Sequence, residues 1–134
     1  MLTRSDDAPV HATPNATMRT LAAPSLGASA LSVWEVAMPA GAAGPTHRVD
    51  AEQVWVVLEG QLRVELGGRV LEGEAGDALT LPAGAERRVL AATAARALVS
   101  SPAGPAVATR TVAHGRCPGP PERSRPRVTR RPSG

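Results

Sequence analysis

From Leu31 onward the chain is written in short apolar runs rich in Val, Leu and Trp, each closed by Gly or Pro, the pattern of successive β-strands joined by turns. Strands are predicted at about 30–38, 46–50, 53–59, 61–66, 69–72, 78–81, 86–91, 95–100 and 106–112. The clearest alternation is Gln61-Leu62-Arg63-Val64-Glu65-Leu66, where Leu62, Val64 and Leu66 must share one face while their polar neighbours meet water. By contrast, Gln53-Val54-Trp55-Val56-Val57-Leu58 is apolar on both faces, which predicts a central strand covered on each side. Glu59-Gly60 and Gly67-Gly68 supply tight turns, because glycine enters positive φ without steric cost. Helical periodicity never lasts beyond two turns, and the alanine-rich Leu90 to Leu98 is read as strand and turn.

Many short strands with Gly and Pro turns and almost no helix predict an all-β sandwich or barrel. With 134 residues the chain is long enough for one core and too short for two. Residues 1–18 mix Asp, Pro, Asn, Thr and Ala without a sustained period and are read as a loose arm, residues 19–114 as the barrel. Residues 115–134, rich in Arg, Pro, Gly and Ser, are read as a disordered tail.

The charge is distributed unevenly. A net +3 and a pI near 10.9 suggest a nucleic-acid partner, but after residue 114 six arginines face a single acid, Glu122, so that residues 1–114 carry a net charge of −2. The tail lacks interleaved aromatics and any folded recognition element, so a nucleic-acid partner is not expected and a solvated appendage is. One cysteine, Cys117, rules out an intramolecular disulfide and fits a reducing setting. The N-terminus lacks the apolar stretch of a secretory signal and no run of about 18 apolar residues occurs, so a soluble, cytoplasmic protein with no membrane partner is expected.

The stretch Gly41 to Gly60 resembles the first signature motif of cupins: Gly, five residues, His, one residue, His, three or four residues, Glu, six residues, Gly. Gly41, His47 and Gly60 match, while Val49 stands at the second His position and Gln53 at the Glu position. Fifteen residues further on, Gly76, Pro82 and Gly84 match the second motif, with Arg87 at its His position and Ala91 at its Asn position. The resemblance covers about residues 30–112 and implies a double-stranded β-helix (jelly-roll) barrel, a homodimer, and commonly Fe, Mn, Ni or Zn held by three His and one Glu. Three of those four ligand positions are replaced here.

An open catalytic metal site generally needs three or more donors, and only His47 is a good one. Gln53 offers a neutral carbonyl oxygen; Glu52 is one residue out of register and would face away unless a bulge turned it inward. Arg87 argues against a cation, since a dication at ~5 Å from a guanidinium is repelled by about 7 kcal/mol at an effective dielectric constant of 20. Its planar donors suit a carboxylate or phosphate instead, with His47 beside it to orient that group or act as acid or base.

The expectation is therefore a metal-free pocket lined by His47, Gln53, Trp55 and Arg87 that takes a small polar or anionic organic molecule. The alternative is an enzyme that uses His47, either with a metal and Glu52 or Gln53 as co-ligands or without metal as a general base, for which the resemblance offers oxygenases, isomerases, epimerases and polyketide cyclases. Structural readings stand beside both. His47 can be a hydrogen-bonded histidine at the barrel mouth, Arg87 can neutralise Glu52, Asp50 or Glu35, and Trp34 and Trp55 can be core. His11, His114 and Cys117 are given no role.

Overall fold

A computed structural model describes residues 1–103. Nine strands, β1 (Val10–Ala12), β2 (Thr17–Ala22), β3 (Leu31–Met38), β4 (Gln53–Glu59), β5 (Gln61–Leu66), β6 (Arg69–Glu74), β7 (Ala78–Leu81), β8 (Arg87–Ala91) and β9 (Ala95–Pro102), form two antiparallel sheets. One has the order β1-β2-β3-β9-β4-β7 and the other β6-β5-β8, a jelly-roll arrangement with the core between them. The only helices described are single 3-10 turns at Ser5–Asp7 and Pro24–Leu26.

Strand parity fixes what faces inward. Leu62 and Val64 on β5, Trp55 and Val57 on β4, Val89 and Ala91 on β8, and Ala95, Ala97 and Val99 on β9 are all buried and join one hydrophobic cluster. The doubly apolar strand β4 is central, paired with β9 on one side and β7 on the other. Its outer-face residues Val54 and Val56 are half-buried and Leu58 is exposed.

Two expectations change. The segment read as a loose arm is partly strand, because Val10, His11 and Ala12 pair with Arg19, Met18 and Thr17, and Thr17–Ala22 pairs with β3. These strands escape periodicity because β1 is exposed at every position and β2 has no fully buried residue, so neither carries an apolar alternation. The strand expected at 46–50 is instead an irregular ribbon along β8, tied by the bridges Ala43–Leu90 and His47–Arg87, between which the register slips by one residue. Pro45 has no N–H to offer a ladder there. The strand expected at 106–112 and the tail 115–134 lie outside the described residues.

The four motif glycines explain why their frame survives. Gly41, Gly60, Gly76 and Gly84 all have φ between 74° and 94°. At Gly60 a Cβ would also lie 2.1 Å from the Ala94 carbonyl oxygen.

Candidate functional site

The ribbon and β8 bring two of the expected residues side by side. His47 N–H donates to the Arg87 carbonyl at 2.9 Å and Arg87 N–H donates to the His47 carbonyl at 2.8 Å. Residues paired in this way project side chains to the same face of the sheet. Arg87 faces the interior at 1 % exposure, while His47 is half-buried. Val49 and Gln53, the other two replaced positions, are buried as well. Gln53 opens β4 opposite Leu81, and Arg87 opens β8, so both lie at the same end of the barrel.

Arg87 is the only buried charged side chain among the described residues. Its Nε donates to the Ala85 carbonyl at 3.2 Å, Nη2 donates to the Pro82 carbonyl, and Nη1 donates to Gln53 Oε1 at 3.4 Å. Gln53 Oε1 also accepts from Trp55 Nε1 at 3.3 Å. Gln53 thus orients the guanidinium, and its amide oxygen is shared between two donors. No carboxylate among the described residues lies within ion-pair distance of Arg87: Glu35, named above as a partner for it, binds Arg96 instead. Desolvation pulls the Arg87 pKa below the ordinary arginine value, but a guanidinium stays charged in proteins. With three of its five N–H groups engaged, one donor each on Nη1 and Nη2 has no partner among the described residues.

His47 Nδ1 lies 3.0 Å from the Pro45 carbonyl oxygen. A carbonyl only accepts, so this contact places a proton on Nδ1, and in the neutral ring the lone pair is then on Nε2.

The remaining candidates separate from this group. Glu52 is exposed and precedes β4, so the bulge needed to turn it inward is not formed and it does not join the interior residues. Trp55, expected as a pocket wall, is 8 % exposed and belongs to the core cluster, and Trp34 packs against that cluster. A groove of about 650 Å³ reaches Arg87, but its lining does not include His47, Gln53 or Trp55, so the four residues do not surround one open cavity. Sequence reasoning missed Pro82 and Ala85, whose contribution is a backbone carbonyl and leaves no side-chain signal, and Arg48, which lies against the same turn.

The donor set does not fit a divalent metal. Among the described residues no three His, Cys, Asp or Glu side chains cluster to hold one. The position facing His47 carries a permanent cation, and Gln53 Oε1 is already committed to two donors.

The chain matches the family profile described as Cupin domain over residues 34–101. Its fold is similar to an RmlC-like cupin from Shewanella frigidimarina (TM-score 0.67, 18 % identity, 75 % of this chain and 88 % of that one). KdgF from a Halomonas species is also similar (TM-score 0.66, 21 % identity, 76 % and 93 %). So is the polyketide cyclase RemF from Streptomyces resistomycificus (TM-score 0.64, 25 % identity, 76 % and 80 %). No curated protein matches the sequence. The profile spans half of the sequence, and the two-sheet topology and glycine frame agree with it: this chain belongs to the cupin family.

Proposed function

We propose that this cupin binds a small anionic organic molecule, a carboxylate above all, at Arg87 inside one end of the barrel and without a metal. The observation that carries the reading is the isolation of that charge: a guanidinium 1 % exposed, with two N–H groups unengaged and no carboxylate partner among the described residues. Burying an ion without a counter-ion costs several kcal/mol, which its two carbonyls and one amide oxygen offset only in part. An anion accepting the remaining donors would supply the missing charge through a charge-assisted pair.

The test is a thermal-shift series with carboxylates and phosphate on wild type and Arg87→Met. A carboxylate at a hundred times its Kd should stabilise wild type by about 2.7 kcal/mol and leave the variant unmoved. A set of ligands that shifts neither protein, or both alike, removes the proposal.

One observation favours a second reading, a metal-free enzyme. The Nδ1 contact to Pro45 leaves His47 Nε2 as a proton acceptor next to a cation that could hold a substrate carboxylate or carbonyl, the two elements of general-base chemistry. Likeness to a polyketide cyclase supports a cyclisation or isomerisation as its class. Loss of turnover in His47→Ala with unchanged ligand affinity would separate it from binding alone.

The proposal includes a cytoplasmic homodimer. Among the described residues no helix is long and apolar enough to cross a membrane. The outer face of the larger sheet supports a partner copy, since Val33, Val54, Val56 and Leu98 lie there half-buried.

A further inference from the structure

The turn Pro82–Glu86, which joins β7 to β8, is held by two arginines from opposite sides. From within, Arg87 donates to the Pro82 and Ala85 carbonyls. From without, Arg48 Nη1 donates to the Gly84 carbonyl at 3.3 Å and Nη2 to Glu86 Oε2 at 3.4 Å. Two backbone bonds, Gly84 N–H to the Val49 carbonyl at 2.8 Å and Gly67 N–H to the Glu86 carbonyl at 3.1 Å at the end of the turn, complete the attachment. Pro82, Ala83, Gly84 and Glu86 are exposed and bring no apolar side chain into the core. Directly outside lies the groove of about 650 Å³, whose wall sets four arginines, Arg48, Arg69, Arg87 and Arg88, against two carboxylates, Glu65 and Glu86. Among the described residues, neither Arg69 nor Arg88 has a carboxylate within ion-pair distance.

We propose that the Pro82–Glu86 turn is a lid over Arg87, latched inside by Arg87 and outside by Arg48, and that an anion gathered by the arginines of the groove, on its way to the two unengaged Arg87 donors, opens the lid by also drawing off the donors held by the Pro82 and Ala85 carbonyls. The inference rests on the anion-binding reading above and adds the route by which the anion arrives.

The exchange is favourable on chemical grounds. A carboxylate accepts from a guanidinium more strongly than a neutral carbonyl does, because both partners are charged. In the closed turn the two carbonyls are only partly buried, and once the turn swings outward they pass to water, so opening orphans no acceptor. The outer latch resists little, since the Arg48 and Glu86 side chains are 64 % and 54 % exposed and a pair of that kind contributes little to stability. Gly84, at φ 75°, gives the turn a residue that crosses backbone regions other residues avoid. Opening of such a segment belongs on the microsecond to millisecond scale.

Residues 48 and 86 are the opposed positions next to the hydrogen-bonded antiparallel pair His47–Arg87, where Cα atoms approach to about 4.5 Å, so cysteines there fall within reach of a disulfide. The test is Arg48→Cys/Glu86→Cys with Cys117→Ser, mixed with acetate or malonate in a stopped-flow instrument and followed by tryptophan fluorescence. Trp55 reports because it shares Gln53 Oε1 with Arg87. The association rate should fall at least tenfold on oxidation and return on reduction. Binding at equal rates in both redox states overturns the lid and leaves the anion site standing; binding in neither state overturns both. Hydrogen exchange on wild type gives an independent readout should the variant not fold. Added acetate should speed exchange of the Gly84 amide while protecting β4 and β8, and unchanged or slower exchange at Gly84 contradicts the lid.

Discussion

Arg87 and Gln53 meet inside the barrel, Nη1 of one donating to Oε1 of the other at 3.4 Å, at two positions where the motifs of the family call for a metal-binding histidine and glutamate. The pair inverts the electrostatics of the site. Donor lone pairs directed at a cation are replaced by a fixed cation with N–H groups to spare, which is the ground for the proposal that this end of the barrel takes anions.

That inversion sets the effect of changing Arg87. Truncation in Arg87→Ala leaves the Pro82 and Ala85 carbonyls and Gln53 Oε1 short of a donor and opens a void, and should cost about 2–4 kcal/mol in urea unfolding. Arg87→Met fills the space without a charge and should be within about 1 kcal/mol of wild type, because buried ions are often replaced by apolar side chains without loss. An Arg87→Met protein destabilised as severely as Arg87→Ala would show that the hydrogen bonds, not desolvation, dominate.

His47 is expected to contribute little to folding. Its ring is half-buried and its one side-chain hydrogen bond, to Pro45, lies in an exposed setting, so His47→Ala should change stability by no more than about 1 kcal/mol by chemical denaturation. Unfolding of this variant at room temperature would assign His47 a structural role.

The glycines of the motif frame should differ sharply among themselves. Gly60→Ala combines positive φ with a Cβ 2.1 Å from the Ala94 oxygen and 2.8 Å from Thr93 Oγ1, and should lose ~4 kcal/mol or fail to fold. Gly41→Ala meets nothing within 4 Å and carries only the left-handed penalty, about 1–2 kcal/mol. Thermal melts of the two proteins decide the matter, and equal losses would show that close packing at Gly60 is not the reason it is kept.

Convergence of the four positions can be tested by gain of function. Val49→His/Gln53→Glu/Arg87→His should bind one equivalent of zinc or nickel after dialysis, measured by elemental analysis, since all three residues are buried at the end of the barrel that His47 borders. A folded triple variant that retains no metal would mean that these side chains do not point to a common centre.

Much of this was legible in the sequence, for identifiable reasons. Strands β3, β4, β5 and β7 stand where their apolar periods place them, because each has a buried face to satisfy. Gly41, Gly60, Gly76, Pro82 and Gly84 marked the turns, since backbone geometry there tolerates little else. β1 and β2 were invisible because edge pairing through the backbone needs no apolar pattern. At the site, the inward placement of Gln53 and Arg87 followed from register, but the partners of Arg87 did not. Side-chain chemistry suggested Glu52, Asp50 or Glu35, whereas the guanidinium turns to the Pro82 and Ala85 carbonyls, which every sequence possesses and none advertises.

The central claim, that a guanidinium has taken the place of a metal, is tested most directly by elemental analysis of the full chain purified without chelators. Iron, manganese, nickel and zinc should each be well below one equivalent per chain, in protein that melts cooperatively. One equivalent of any of them, lost together with the fold or with ligand binding on chelation, would contradict the account.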